Sequence, residues 1–460
     1  MSAPPAQPPA AVPAWAALPA SRPSSSWRPA FYLAIFYIVF TYTRFAEIFY
    51  FVTHRNARLA LIVNLLVLPV LVLSGGLFDA LRSRIVIALL AFTAWYCLAI
   101  PFSVWRGGSV NQLIAWLLSL ISLFLLAGCV DGIEQCRKAL YAVALSVIAI
   151  EIMGFFMGTS ALHDEGRFTL EQGTFANPND LATLLLMGLP GCLLVLRTRR
   201  RFSLLKMLCF AALFLIPVTV VRTGSRGALL ALIVMFAVYF LSVPALRKMQ
   251  VGISGLIVVL GSLIFANTSA LYRYKTIFVS SDPRAYQNAA EVSAAESAMS
   301  RRELFLRSVR MSLEHPLLGV GPGMFPVADA KGADEDNYQA IWRQTHNSFT
   351  QISSEEGIPA MLMYMAAIFF CFRATRSATR LATAHPEFAL LKDLAFTLRL
   401  SVLAFVITGI FASNAYAFFF PFIAGLCAAL ERAVASQKTP QTPEPTSPSG
   451  TAAPAHGRLL

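Results

Sequence analysis

Two arginines and one histidine are the side chains of this chain with the most chemistry to offer. Arg222 and Arg226 lie four residues apart, on either side of a turn that contains Gly224. If that turn stays partly helical, both guanidinium groups share one face. Such a pair binds a phosphate or diphosphate through paired hydrogen bonds and never loses its charge. His346 can take a proton from a hydroxyl or donate a hydrogen bond to a phosphate near neutral pH.

The rest of the sequence consists of one hydrophobic stretch after another. Hydrophobic residues make up 57% of the 460 residues and charged residues 13%, where a soluble domain has about 25% charged residues. We therefore predict an all-α polytopic membrane protein. The formal net charge of +13 would suit nucleic acid. The basic residues, however, fall in short clusters between apolar stretches, which is typical of membrane topology signals, and we predict no nucleic-acid binding.

About twelve stretches are long enough, or nearly long enough, to cross a bilayer as helices. They lie near residues 31–50, 59–74, 85–102, 110–129, 139–158, 181–196, 204–221, 228–243, 251–266, 358–372, 395–413 and 415–431. We divide the chain into a disordered cytoplasmic leader (1–30), spans one to nine (31–266), one long extracytoplasmic loop with short helices (267–356), spans ten to twelve (357–431) and a disordered cytoplasmic tail (432–460).

The distribution of Lys and Arg over the short loops predicts the orientation. With the leader placed in the cytoplasm, the inner loops hold fifteen of these residues and the short outer loops hold six. Cytoplasmic loops carry such an excess of positive charge, whereas long loops cross regardless of charge. Both termini are therefore predicted to be cytoplasmic, and Arg222, Arg226 and His346 to face the outside.

Two further outer segments carry candidate residues. The loop 159–180 contains Arg167 and ends in an Asn/Asp-rich stretch that predicts a helix N-cap before Leu181. In the long loop, residues 301–314 have apolar side chains at helical spacing, and His315-Pro316 follows them. We predict a helix there that lies on the membrane surface.

Each of these residues also has a purely structural interpretation. The arginines could extend to lipid head groups, and His346 alone is more often a hydrogen-bonded polar residue. Glu355 and Glu356 are ordinary partners of a helix dipole. Binding is favoured for Arg222 and Arg226 because they lie on the side of the membrane that the orientation otherwise depletes of cations. The seven cysteines form no C-x-x-C pair, and the Asp and Glu residues show no metal-ligand spacing, so we predict no metal and no cofactor.

Taken together, the outer motifs resemble the O-antigen ligase and O-antigen polymerase superfamily of integral-membrane glycosyltransferases (Wzy_C type). The motifs are Phe175–Ala182 (FANPNDLA), Thr223–Leu230 (TGSRGALL), His315–Gly323 (HPLLGVGPG), His346–Phe349 (HNSF) and Glu356–Pro359 (EGIP). Their order and their shared outer side make the combination specific. The resemblance is close over roughly residues 165–372.

The resemblance implies a metal-independent, inverting transfer of a glycan. The donor would be a glycan on undecaprenyl diphosphate, and the acceptor a hydroxyl of lipid A-core, at the periplasmic face of a bacterial inner membrane. Arg222 and Arg226 would hold the diphosphate, with Arg167 and Arg301 as further candidates. His346 would activate the acceptor hydroxyl or orient the diphosphate. The implied supporting residues are Asn347, Ser225 and Asn177.

Other functions stay open from the sequence. An O-antigen or exopolysaccharide polymerase, or a protein O-oligosaccharyltransferase, would keep the same donor and change the acceptor to a glycan or a protein. A secondary transporter is a different class. Transporters often contain paired broken helices at the membrane midplane, and no such pair is evident in the two halves of this sequence.

Overall fold

The computed structural model of the chain describes residues 28–55, 57–159, 166–170, 173–199, 201–266, 268–275, 289–336 and 342–438. Its helices are α1 (Arg28–Tyr42), α2 (Phe45–Thr53), α3 (Leu59–Leu73), α4 (Gly76–Ala80), α5 (Arg84–Ala99), α6 (Arg106–Cys129), α7 (Gly132–Met157), α8 (Pro178–Thr198), α9 (Leu204–Arg222), α10 (Arg226–Ser242), α11 (Ala245–Phe265), α12 (Thr268–Lys275), α13 (Ala289–Glu314), α14 (Phe325–Asp336), α15 (Ser348–Glu355), α16 (Ile358–Ala384), α17 (Ala389–Gly409) and α18 (Phe419–Lys438). Two short strands, β1 (Gly158–Thr159) and β2 (Thr169–Leu170), pair antiparallel with Gly158 opposite Leu170.

The prediction of an all-α polytopic membrane protein is confirmed. Within the described residues, eight helices are long and apolar enough to cross a membrane. The number is nine if α1 and α2, which meet at an angle of 57°, count as one broken span. α3 and α10 are apolar but shorter. Every predicted apolar stretch contains helix, and the number of twelve spans stays a prediction.

The centre of the bundle is formed by α8 and α18. Of their apolar segments 78% is buried, against 11% for α11. α18 packs on α5, α6, α7, α16 and α17, and α8 packs on α7, α9 and α17. Close packing on α6 depends on Gly425, where an added Cβ would lie 2.9 Å from Leu126 Cβ and 3.0 Å from Leu123 O. Small residues at such contacts let helix backbones approach in a membrane.

Four helices, α12 to α15, lie in the predicted outer loop. The helix predicted over 301–314 ends at Glu314 but begins at Ala289, twelve residues earlier. The added turns are rich in Ala, Glu and Ser, and Ala294 and Ala295 are fully buried, so packing as well as helix propensity supports them. The helix is also tied to its neighbours, because the Arg307 guanidinium donates to both carboxylate oxygens of Asp329 on α14 at 3.1 Å.

A segment that we name the joint connects the outer loop to the membrane part. It consists of residues 316–325 and 354–358, which pair through backbone hydrogen bonds. Val320 N donates to Ser354 O (2.9 Å), Gly321 N to Glu355 O (2.8 Å) and Ile358 N to Pro316 O (2.8 Å). The joint fixes the end of α15 and the starts of α14 and α16 relative to one another.

The ends of the described chain extend slightly into the predicted leader and tail. α1 begins at Arg28, and α18 continues to Lys438. The last turns of α18 are held by Arg432, which donates to Ala127 O at 2.5 Å and pairs with Asp79 at 3.2 Å. The predicted disorder of residues 1–27 and 439–460 lies outside the described residues.

Candidate functional site

Four arginines and a histidine from distant parts of the chain act on one another through their charges. We name Arg226, Arg273, Arg301, Arg343 and His346 the basic cluster. Burial, together with the charges of Arg226, Arg273 and Arg343, lowers the pKa of Arg301 to about 10. Burial and the charges of Arg301 and Arg343 lower the pKa of His346 to about 4. At neutral pH Arg301 therefore stays charged and the imidazole of His346 is neutral.

Arg226 enters the cluster because the start of α10 docks on α13. Ser225 is the N-cap of α10, so Arg226 is the first residue of that helix. The Arg226 guanidinium contacts the carbonyl oxygen of Ala294 on α13 at 3.4 Å. Arg301 lies two turns further along the same helix, and the charge of Arg226 acts on it.

His346 is held by its backbone rather than by its ring. Its φ of 54° lies in the left-handed region, and its N–H donates to Ser413 Oγ at 2.7 Å. The next residue, Asn347, caps α15 by accepting hydrogen bonds from Phe349 N and Thr350 N. Such a conformation costs about 1–3 kcal/mol and marks sites where the surroundings fix it. The half-buried imidazole is thus aimed by the start of α15.

The loop between α17 and α18, residues 410–418, brings His346 and Arg226 together. Ser413 in this loop holds the backbone of His346. Beside it, Phe411 packs so closely on the start of α10 that a Cβ added at Gly227 would lie 2.7 Å from Phe411 Cβ. The same loop therefore contacts both the backbone of His346 and the start of α10. The sequence offered no signal for this role, because the loop contains no motif and no charged residue.

Arg273 on α12 is a buried member of the cluster that sequence reasoning missed. Its Cδ lies 3.2 Å from the position of a Cβ at Gly224, whose own φ is +61°. The adjacent Tyr274 donates from its hydroxyl to Val221 O at 2.9 Å. α12 thus docks on the turn between α9 and α10. Arg343 was also missed, although its position three residues before His346 was a usable signal.

Arg222 and Arg226 do not share a helical face. Arg222 is the last residue of α9 and Arg226 the first of α10, and the turn 223–225 between them breaks the helix. The Arg222 guanidinium stacks on the ring of Phe168 at 4.5 Å. The interpretation that both arginines lie on one helix face is wrong, because Gly224 adopts a left-handed conformation that reverses the chain.

Arg167 braces the outer turn. Its Nε donates to Thr223 O at 2.8 Å, and its Nη2 donates to Asn179 Oδ1 at 3.1 Å. Of the four arginines named from the sequence, Arg226 and Arg301 lie in the basic cluster with His346. Arg167 and Arg222 contact the loop and turn that surround it.

The three residues expected to support the site all cap helices. Asn177 accepts from Asn179 N at the start of α8, Ser225 from Ala228 N at the start of α10, and Asn347 caps α15. An N-cap fixes where a helix begins and which way its first residues extend. For Ser225 and Asn347 the neighbouring residue is a member of the basic cluster.

Glu355 and Glu356 are fully buried in the joint. The Glu355 carboxylate accepts from Gly323 N (3.0 Å), Phe325 N (3.2 Å) and the Tyr416 hydroxyl (2.7 Å), so it caps α14 rather than the helix that follows it. Burial raises the pKa of Glu355 to about 7. Burial, and then the charge of Glu355, raise the pKa of Glu356 well above its usual range. Within the described part of the chain, neither carboxyl oxygen of Glu356 has a hydrogen-bond partner.

The basic cluster can bind an anion and accept a proton. Four guanidiniums suit a group with two or more negative charges, such as a diphosphate. A neutral imidazole has a free lone pair for the proton of a hydroxyl. No group of three or more His, Cys, Asp or Glu side chains in the described ranges is arranged to hold a metal ion.

Comparison with known families matches residues 210–365 to the family described as O-antigen ligase (Wzy_C). The matched segment contains the whole basic cluster and the joint. The predicted resemblance to the O-antigen ligase superfamily is confirmed by this match. None of the curated proteins compared with the chain matches it significantly.

Proposed function

We propose, on the premise of the O-antigen ligase match over residues 210–365, that this protein transfers a glycan from undecaprenyl diphosphate to an acceptor hydroxyl. The acceptor we favour is lipid A-core at the periplasmic face of a bacterial inner membrane. The single observation that carries the proposal is the basic cluster, where the charges of Arg301 and Arg343 act on a neutral imidazole and those of Arg226 and Arg273 act on Arg301. This pairing suits an anionic leaving group next to a hydroxyl that must lose its proton.

The guanidiniums act on the donor. Arg226 and Arg301, with Arg273 and Arg343, hold the diphosphate. As the bond between the anomeric carbon and the diphosphate oxygen breaks, the electron pair stays on that oxygen and the diphosphate gains one negative charge. Fixed cations that meet the developing charge lower the barrier more than they stabilise the bound donor. This role needs no metal ion.

His346 acts on the acceptor. The acceptor oxygen attacks the anomeric carbon from the face opposite the diphosphate, so the configuration inverts. The proton of that hydroxyl moves to the imidazole of His346, and the new glycosidic bond forms with the same acceptor oxygen. A pKa of about 4 in the free site makes the imidazole neutral but weakly basic. A bound diphosphate offsets the arginine charges and raises the pKa, so the base gains strength when the donor is in place.

Complementation of a bacterial strain that lacks its own O-antigen ligase tests the proposal. We expect the native chain to restore a polysaccharide ladder on lipid A-core, and His346→Ala and Arg301→Ala to abolish it at equal membrane abundance. His315→Ala is the matched control, because this histidine is exposed and outside the basic cluster. A change in the length of free lipid-linked polymer, with no ladder, would assign a polymerase instead. Ladders of equal intensity from the native chain and His346→Ala would refute the role of the cluster.

A further inference from the structure

A second charged site lies away from the basic cluster, beside the first residue of α5. It is a cavity of about 210 Å³ between α5, α16 and α18. Its polar lining consists of Arg84, Arg373, Ser377 and Glu431, and its apolar lining of Ala374, Val434 and Ala435. A water molecule takes about 30 Å³ of liquid volume, so the cavity has room for a polyatomic anion.

The helices that line the cavity also run to the joint, which fixes its distance from the basic cluster. Trp95 on α5 donates from Nε1 to Leu317 O in the joint at 3.1 Å, and Arg84 lies eleven residues before it. α16 begins at Ile358 in the joint, and Arg373 lies fifteen residues further on. At 1.5 Å per residue the cavity is roughly 16–22 Å along the bundle from the joint. It does not belong to the site described above.

The one carboxylate in the lining, that of Glu431, already accepts a hydrogen bond within the protein. Glu431 Oε2 accepts from the hydroxyl of Ser83 at 2.6 Å, and Ser83 is the N-cap of α5. The charges of Arg84 and Arg373 also act on Glu431. Two guanidiniums against one carboxylate leave a net positive charge in the cavity.

Both guanidiniums are available to a ligand. In the part of the chain that the structure describes, neither Arg84 nor Arg373 forms an ion pair, and both side chains are exposed at the mouth of the cavity. Ser377 lies one turn after Arg373 on the same face of α16. Guanidiniums from two helices that converge on one space, beside a hydroxyl, form the arrangement that binds phosphate oxygens.

We propose that this cavity binds the phosphate group of an anionic membrane lipid. Arg84 is the first residue of α5, so the cavity opens where one membrane helix begins. Long cationic side chains at such a position extend to the phosphates of phospholipid head groups. Basic pockets between helices at a membrane face recognise such lipids. The predicted orientation places this end in the cytoplasm, but the chemistry of the site does not depend on the orientation. The proposal is also independent of the glycan transfer proposed above.

Native mass spectrometry of the full-length protein in detergent tests the proposal. The probes are phosphatidylglycerol and phosphatidylcholine with identical acyl chains. We expect phosphatidylglycerol to bind more tightly, and Arg84→Gln/Arg373→Gln to weaken its binding by about tenfold or more, as the loss of charge-assisted hydrogen bonds predicts. The matched control is Arg376→Gln/Arg380→Gln, which removes the same charge from exposed positions of α16 outside the cavity lining.

The remaining outcomes separate the sources of phosphate. If millimolar inorganic phosphate displaces phosphatidylglycerol from the native chain but not from the cavity variant, the phosphate site is supported and free phosphate is a competing ligand. Equal affinity for the two lipids, or an equal loss in the cavity and control variants, overturns the proposal. Both variants are first compared with the native chain by size-exclusion profile and thermal unfolding. If Arg84→Gln/Arg373→Gln does not fold, Arg373→Gln against Arg380→Gln gives the same test with one charge.

Discussion

The protonation state of His346 depends on its burial and on two arginines, one of which lies far from it in sequence. Its position in a polar loop identified it as a candidate base from the sequence alone. Its lowered pKa arises from burial and from the charges of Arg301 and Arg343, and Arg301 belongs to a helix 45 residues earlier. No spacing rule connects Arg301 with His346. The sequence could therefore identify this histidine as a candidate base, but it could not predict that the imidazole is neutral in the free site.

The pKa of His346 is expected to rise when a diphosphate binds. It is lowered to about 4 in the free site, and a bound anion offsets the arginine charges that lower it. Because the ligand then favours the protonated form, its affinity increases as the pH falls from the raised pKa towards 4. NMR of histidine-labelled protein, titrated with methylenediphosphonate, measures both effects. The signal missing from His346→Gln assigns the residue, and an unchanged pKa in the bound state would contradict the expected contact.

Neighbouring arginines on α13 provide a matched test of the basic cluster. Arg301 lies in the cluster, whereas Arg302 is exposed on a neighbouring face of the helix. Arg301→Ala should lower glycan transfer by about 10²–10³-fold, the effect of removing one group that stabilises developing negative charge. The transfer rate of Arg302→Ala should stay within about twofold of the native rate. Transfer by purified protein in liposomes is the measurement, and similar losses in both variants would mean that general surface charge, not the cluster, binds the donor.

The joint shows what a turn motif can and cannot predict at the scale of elements. The glycines of the stretch Leu318–Gly323 mark it as a turn in the sequence. The structure shows that this turn packs against residues 354–358. A Cβ added at Gly319 would lie 2.3 Å from the carbonyl carbon of Glu355, and one added at Gly357 would lie 2.1 Å from Leu317 O. Each segment needs glycine because the other lies against it. A pairing of this kind between segments 35 residues apart leaves no periodic signal.

Substitution of Gly319 should therefore cost more than its backbone conformation alone explains. Gly319 and Gly132 have similar φ values, +63° and +76°, but only Gly319 has backbone atoms in the space of a Cβ. Gly132→Ala should lower the free energy of unfolding by about 1–2 kcal/mol, the cost of a left-handed residue. Gly319→Ala should lower it by about 3 kcal/mol or more, because the joint must move. Chemical unfolding in detergent gives both values, and equal costs would argue against close packing there.

The two buried glutamates of the joint should respond differently to the same substitution. Glu355 accepts hydrogen bonds from two backbone N–H groups and from a tyrosine hydroxyl. In Glu355→Gln the amide NH₂ would face one of these donors and leave it without an acceptor, so the free energy of unfolding should fall by about 1–3 kcal/mol. Glu356 has no hydrogen-bond partner in the described residues and a strongly raised pKa. Its raised pKa favours the neutral acid, and Glu356→Gln replaces that acid with a neutral group of the same shape. This variant should be nearly as stable as the native chain.

The raised pKa values of Glu355 and Glu356 also predict how the stability of the protein changes with pH. A carboxyl whose folded pKa is raised stabilises the protein fully below its unfolded pKa, and this contribution is lost as the pH rises through the folded pKa. For Glu355 the window runs from about 4.5 to about 7. Glu356 extends the loss to higher pH. Between pH 5 and pH 9 the melting temperature of Glu356→Gln should therefore fall less than that of the native chain. Parallel curves of melting temperature against pH would show that Glu356 does not titrate.

At the scale of the whole molecule, hydrophobicity located the helices but not their order around the core. α8 and α11 have similar mean hydropathies, 1.8 each, yet 78% of one apolar segment and 11% of the other are buried. Lipid tails and a protein core are equally apolar, so composition does not distinguish a central helix from a peripheral one. Close approaches distinguish them, as at Gly425 against α6. These depend on pairs of helices that no single stretch of sequence reveals.

The orientation of the bundle is the prediction on which the periplasmic reaction depends. Arg302 lies on α13 beside the basic cluster, and Arg380 lies 22 residues beyond the start of α16, roughly 33 Å along that helix. If the positive-inside distribution holds, the first is outside the cell membrane and the second is in the cytoplasm.

Arg302→Cys and Arg380→Cys are therefore introduced into a chain with Cys97→Ser, since Cys97 is exposed and the other six cysteines are buried. In intact spheroplasts a membrane-impermeant maleimide should label position 302 and leave 380 unlabelled, and permeabilisation should expose both. Labelling of 380 alone would place the basic cluster in the cytoplasm. The transfer proposed for the periplasm would then be untenable, whereas the phosphate site of Arg84 and Arg373 would face the outer leaflet with its chemistry unchanged.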